Sequence, residues 1–231
     1  MKKFMLLLLI SILIPISCFS QRLLNNQEAN STNIASVIIG NQEWMIKNLN
    51  VETYRNGDVI PQVTNLEQWK KLKTGAWCYY DYDSRMGPVN GKLYNWYAVN
   101  DSRGLAPLGW HIPNLEEWEL LFNNLGGSDY AGGKLKEKGT KHWQLAENTC
   151  ATNSCGFTAL PGGRLEVEEN DGFDKLGYCA YFWSTSDDGF TNSHAIVLIN
   201  ADPRVSTGGC KTYKSSYSNR SGFSVRCLKD K

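Results

Sequence analysis

Sulfur is the most reactive chemistry this chain offers. It has 231 residues and seven cysteines: Cys18, Cys78, Cys150, Cys155, Cys179, Cys210 and Cys227. Zinc would need thiolates and imidazoles at short, regular spacing. No Cys-x-x-Cys pair occurs, and no histidine stands near a cysteine at zinc-finger spacing. With Cys18 set aside, the remaining cysteines form an even set, which suits disulfides in an oxidising compartment. The short Cys150–Cys155 separation makes that pair a local loop clip. For the others we assign Cys78–Cys227 and Cys179–Cys210. An even, paired set leaves no thiol over for nucleophilic catalysis.

Nitrogen and oxygen ligands are more scattered. His111 sits between Trp110 and Ile112, just ahead of a helix. A general base needs a partner within about 3 Å, and the sequence identifies none, so His111 reads as a half-buried packing residue. His142 and His194 stand apart from other histidines and from any carboxylate pairing. Asp81 and Asp83, with Asn90 nearby, read as a solvated turn. Glu166, Glu168, Glu169, Asn170 and Asp171 form an acidic loop dense in hard oxygens. Calcium is the cofactor such loops admit, although the regular Asp-x-Asp-x-Asp-Gly spacing is absent. Asp187-Asp188-Gly189 reads as a hairpin turn. Residues 160–164, Leu-Pro-Gly-Gly-Arg, read as a tight turn with Arg164 paired to a carboxylate. A phosphate cradle would need Lys-Ser/Thr and a helix start, and a serine hydrolase a Gly-x-Ser-x-Gly elbow; neither is present. The sequence therefore assigns no catalytic residue and no metal ligand.

These side chains must be held by elements that the patterning predicts. Residues 37–46 read as two strands around Gly40-Asn41. Residues 65–73 suit a short helix capped by Asn65, with Leu66, Trp69 and Leu72 on one side. Residues 77–82 look strand-like. Leu93, Trp96 and Tyr97 share one helical face. The clearest helix start follows Pro113, where Asn114 and Glu117 have capping-box spacing. Leu115, Trp118, Leu121, Phe122 and Leu125 then make an apolar stripe, closed by Gly126-Gly127. A second helix is expected over 131–138. Residues 180–186, 193–199 and 222–228 read as strands between polar loops. Helices early and strands late give an α+β fold with antiparallel pairing.

Composition limits the function classes. Hydrophobic residues are 42%, charged residues 20% and the formal net charge is +1. No global field draws the chain to nucleic acid or an anionic membrane. Residues 1–20 have the charged, apolar and small-residue parts of a secretory signal. The apolar stretch is shorter than the roughly 20 residues of a membrane span, and no later segment is apolar enough to cross a bilayer. Cleavage after Ser20 is the reading we adopt. The alternative is lipidation at Cys18, which would tether the protein through acyl chains. Residues 21–36 are polar and read as a flexible arm, and residues 37–231 as one domain.

Several phrases then fall into a single pattern. They are Gly40-Asn41-Gln42-Glu43-Trp44-Met45, Trp77-Cys78-Tyr79-Tyr80 and Gly91-Lys92-Leu93-Tyr94-Asn95-Trp96. They continue with Gly109-Trp110-His111-Ile112-Pro113, Glu117-Trp118, Gly156-Phe157, Phe182-Trp183-Ser184-Thr185 and Ser224-Val225-Arg226-Cys227. In this order they resemble the Fibrobacter succinogenes major paralogous domain family, over about residues 37–229. The resemblance implies an exported bacterial surface or secreted module. It also implies a C-type-lectin-like fold, related in pattern to sulfatase-modifying-factor domains. It carries no established activity. The calcium-holding Glu-Pro-Asn, Gln-Pro-Asp and Trp-Asn-Asp motifs of sugar-binding lectins are absent. The reactive cysteine pair of formylglycine-generating enzymes is in doubt, because Cys210 and Cys227 are both expected in disulfides.

The expectation is a non-enzymatic binding or adhesion module for a glycan or a cell-envelope protein. Tyr213 and Tyr217, read as exposed rings in the late loops, are the expected ligand contacts, since such rings suit sugars and proteins. An enzyme on a formylglycine-generating-like fold and a structural envelope component are the alternatives.

Overall fold

The computed structural model describes residues 34–144, 151–168, 172–189, 191–200 and 212–231. β1 (Ser36–Ile39) and β2 (Gln42–Met45) form the expected hairpin. Gly40 takes a φ of +62° in its turn, a region glycine enters without a Cβ clash. α1 (Leu66–Trp69) begins where Asn65 Oδ1 accepts from the Gln68 amide. β3 (Trp77–Cys78) pairs with β4 (Leu93–Tyr94), and between them come two 3-10 turns and α2 (Gly87–Asn90). α3 (Trp96–Val99) follows at once, capped by Asn95.

Leu93, Trp96 and Tyr97 were expected on one helical face. They divide into β4 and α3 instead. Leu93 and Tyr94 are drawn into pairing with Cys78 and Trp77, and Asn95 then caps the helix. Tertiary pairing here overrides the local period.

β5 (Trp110–His111) leads through Pro113 into α4 (Leu115–Asn124). The capping box forms in both directions: Asn114 Oδ1 accepts from the Glu117 amide, and Glu117 Oε2 from the Asn114 amide, each at 2.9 Å. Trp118, Leu121 and Phe122 are buried on the expected stripe. α5 spans Ser128–Leu135, three residues earlier than the periodicity placed it.

The second half is sheet. β6 (Gly162–Glu166), β7 (Gly172–Leu176), β8 (Cys179–Asp187), β9 (Asn192–Ile199) and β10 (Thr212–Ser218) form one sheet in the order β10-β9-β8-β6-β7. Every neighbouring pair is antiparallel except β6–β8, which meet in parallel through Gly163 and Ala180. Residues 162–164 are thus strand, not the expected turn. Arg164 does pair with carboxylates: Glu166 at 2.7 Å and Asp174 at 2.8 Å. Gly163 has a φ of +66°, and a Cβ there would lie 2.6 Å from the Asp174 carbonyl oxygen. Only glycine fits that crossing. Short helices early and mainly antiparallel strands late give the α+β class.

The segment after β10 ties the sheets together. Gly222 bridges to Leu165, Phe223 to Tyr94 and Ser224 to Phe182. The Val225 and Cys227 carbonyls accept from Leu49 and Met45. β11 (Leu228–Lys229) then lies between β2 and β5, giving a second sheet in the order β1-β2-β11-β5. Residues 222–228 were expected as a strand. Residues 222–224 make single bridges to three partners in turn, and of this stretch only Leu228 enters a ladder, in β11. Trp44, Trp118 and Trp183 are fully buried, and Trp96 and Trp110 nearly so. The indoles of Trp44 and Trp118 meet at 4.7 Å between centroids.

The cysteines depart from expectation. Cys78 and Cys227 are free buried thiols, so the assigned Cys78–Cys227 link is not formed. The two sulfurs belong to different packed clusters, Cys78 with Trp69 and Leu165, Cys227 with Trp110 and Val225. Cys155 and Cys179 also carry free thiols. Their assigned partners, Cys150 and Cys210, lie outside the described residues, as do the signal segment with Cys18 and nearly all of the arm. No described helix is long and apolar enough to cross a membrane.

Candidate binding cleft

After β2 the chain leaves the hairpin and runs on as residues 46–55. Its backbone is pinned by Ile46 N to the Ala35 carbonyl (3.1 Å), Leu49 N to Val225 (2.8 Å) and Arg55 N to Gly104 (2.7 Å). Between this segment and residues 105–108 opens a cleft of about 520 Å³. Such a volume is in the range of small-ligand sites. Met45, Leu49, Leu105 and Ala106 are buried residues of its lining, while Lys47, Asn50 and Thr53 are exposed.

The far wall is strapped by Arg55. Its Nε donates to the Ala106 carbonyl at 3.1 Å and its Nη2 to Trp110 at 2.9 Å. The outer lip is held by Arg103, whose guanidinium lies 4.0 Å from the Tyr54 ring centroid. Arg103 also reaches Asp58 at 3.1 Å and Asp101 at 2.9 Å. The hydrogen bonds from Arg103 hold the Asp101 carboxyl down at about 2. Burial, with the Asp101 charge adding to it, pushes the Tyr54 phenol up to about 12.

Behind the near wall stands Lys92, a buried cation. Its Nζ donates to Asn50 Oδ1 (2.7 Å) and Tyr79 Oη (3.2 Å) and lies 3.3 Å from Glu52. It also sits 4.3 Å from the Trp77 ring centroid. With Oδ1 taken, Asn50 has its amide hydrogens left to donate. Asn48 is fully used: it donates to Asn90 and Ser224 and accepts from Arg226. The cleft therefore combines an aliphatic floor with a donor-bearing rim.

The residues singled out in the sequence lie elsewhere. Tyr213 and Tyr217 are both on β10, outside the cleft lining. Tyr213 is 38% exposed. Tyr217 is not an exposed loop ring: it packs edge-on against Phe223 at 4.9 Å and Tyr181 at 5.9 Å. Strand pairing with Ser193 fixes it there. A smaller hollow of about 270 Å³ lies between α4 and β10, crossed by the Lys214–Glu119 ion pair.

His111 has the partners the sequence could not identify. Its Nδ1 is 2.7 Å from Asp230 and its Nε2 2.9 Å from Glu117. It is a strut between the last residues and the helix cap, with both ring nitrogens engaged. His142 pairs with Glu137 at 2.8 Å, correcting its expected isolation, and His194 lies on β9 opposite Ser216.

The acidic residues are tied to cations of the chain itself. Asp83 binds Arg85 at 2.7 Å, Glu166 binds Arg164, and Glu168 is 3.6 Å from Arg220. Glu169, Asn170 and Asp171 lie outside the described residues. Among the described residues no group of three or more His, Cys, Asp or Glu side chains could hold a metal. Asp187 Oδ1 accepts from the Gly189 amide at 2.9 Å, in the expected hairpin turn.

The Fibrobacter succinogenes major domain matches residues 37–229 of this chain. No curated protein and no solved structure matches it.

Proposed function

The chain belongs to the Fibrobacter succinogenes major domain family, and from that premise we propose that it is an exported binding module without catalytic activity, secreted or held at the cell surface. The cleft carries this reading. It is large enough for a small ligand or a segment of a larger one, and its walls are fixed by backbone hydrogen bonds, a strapped arginine and a buried lysine. A pre-formed wall lowers the ordering cost of binding.

A lectin-like scaffold is part of the proposal. What supports it is the closure of the two ends of the matched domain, with β11 paired to β2, and the entry of Trp110 through Pro113 into α4. Export is supported by the tripartite pattern of residues 1–20. Free thiols are compatible with an oxidising compartment where they are inaccessible: Cys78 and Cys227 are completely buried and Cys179 nearly so, whereas Cys155 is half-buried. The partner is a glycan or a cell-envelope protein.

The test uses immobilised protein against a glycan array and against separated cell-envelope proteins, beside a Thr53→Trp variant. Thr53 is on the exposed rim, so the indole obstructs the cleft without entering the core. Binding by the wild type that the variant loses, at an unchanged unfolding midpoint, supports the proposal. Binding by both alike, or by neither, overturns it.

A further inference from the structure

The chemistry of the cleft separates its two ligand classes. Sugar rings are commonly held by stacking on open aromatic faces. Among the described residues lining the cleft Tyr54 is the one aromatic; it is 1% exposed, and its ring lies under the Arg103 guanidinium. The described lining residues offer no open stacking platform. Its apolar part is aliphatic, built from Met45, Leu49, Val51, Leu105 and Leu108.

Charge gives the second constraint. Among the described residues the lining includes Lys47 and Arg55 and no aspartate or glutamate. Nearby acids are already paired: Glu52 lies beside Lys92, and Asp58 and Asp101 beside Arg103. Lys47 is exposed on the rim, and the Asn50 amide adds a neutral donor. An exposed cation at the mouth over an aliphatic floor complements an acceptor-bearing anion.

Resting on the reading of the cleft as a binding site, we infer that its occupant is a peptide segment of a partner protein that presents an aliphatic side chain beside a carboxylate. The aliphatic side chain fills the floor and leaves water. The carboxylate meets Lys47 at the rim.

The experiment selects a random-peptide phage library on the immobilised protein, with an oligosaccharide array in parallel. Enrichment of peptides with Leu, Ile, Val or Met next to Asp or Glu is the expected result. Their binding is lost in Thr53→Trp. In Lys47→Glu it weakens by up to about fivefold, the upper range for one exposed ion pair, and reselection on that variant turns the charge preference to Lys or Arg. Peptides enriched without acidic residues, or bound equally by Thr53→Trp, overturn the inference. Oligosaccharide binding at the cleft without peptide binding also overturns it but leaves the binding-module reading in place. Absence of both ligand classes removes both.

Discussion

Arg226, from the closing segment, forks onto one oxygen of Asn48 in the cleft wall: Nη2 and Nε lie 2.7 and 3.2 Å from Oδ1. Its Nη1 donates to the Met45 and Phe157 carbonyls at 3.0 and 2.7 Å. The guanidinium also lies 4.4 Å from the Phe157 ring centroid. Burial lowers its pKa to about 9, which leaves it charged at neutral pH. One side chain thus joins the last segment, β2 and residues 46–55.

Removing that fork strands several buried acceptors, each of which carries a desolvation cost. Arg226→Ala is expected to lower the unfolding free energy by about 3–5 kcal/mol. Arg226→Lys keeps a donor but cannot fork, so it costs less than alanine and more than nothing. Urea unfolding of the three proteins measures this. Equal stability of Ala and Lys variants would contradict the role given to the fork.

Lys136 supplies a pH dependence. It is completely buried, its Nζ donates to the Ile199 carbonyl at 3.2 Å, and it lies 5.2 Å from the Trp143 ring centroid. Burial lowers its pKa from 10.5 to about 8. Above that value the folded protein has released the proton while the unfolded chain still holds it. The unfolded state then binds more protons, so this group's contribution to stability rises with pH. The rise begins near pH 8 and levels off at the ordinary lysine value. It amounts to roughly 3 kcal/mol, at about 1.4 kcal/mol per pK unit. Buried tyrosines and cysteines titrate in the opposite sense there, so the quantity to measure is wild type minus Lys136→Met. A pH-independent difference would sink the assignment.

Thiol accessibility checks the corrected cysteine assignment. Burial pushes Cys227 up to about 12 and Cys78 well above the ordinary thiol value. Only the thiolate reacts quickly. Iodoacetamide at pH 8 is therefore expected to spare both in the native protein and modify both after denaturation without reductant. Peptide mapping by mass spectrometry reads each site. A Cys78–Cys227 crosslinked peptide would restore the sequence-based pairing and overturn the structural one.

The cleft lip has its own titration. Arg103→Ala should let the Asp101 carboxyl rise from about 2 toward the ordinary ~3.9 of aspartate. An acid with a lowered native pKa contributes stability above its unfolded value, and loses it as pH falls through the native one. Wild-type stability should therefore fall more than that of Arg103→Ala as the solution is acidified from about pH 4 to 2. Carboxyl carbon NMR follows Asp101 directly. An unmoved Asp101 in the variant would remove Arg103 from the lip.

Local rules were written in the sequence, and they held where a few neighbouring residues decide the outcome. Asn114 and Glu117 fix a helix start by mutual capping within four positions. Gly40-Asn41 fixes a hairpin, and the spacing of Trp118, Leu121 and Phe122 fixes a buried stripe. The need of Arg164 for a carboxylate was equally legible, because a guanidinium packed into a fold must be paired. The ordered phrases that identified the family also run along the chain and need no coordinates.

Tertiary structure decided what depends on distant partners. His111 meets Asp230 across 119 positions and Arg226 meets Asn48 across 178; neither pairing leaves a local period or motif. The cleft exists because Val225, Ala35 and Gly104 hold one polar stretch from three directions. Tyr217 became a packing ring because the register of β10 turned it onto Phe223. Two cysteines of matching parity stayed apart because the core placed them in different clusters. Sequence sets the preferences of short segments, whereas side chains far apart in the chain meet only through the assembled fold.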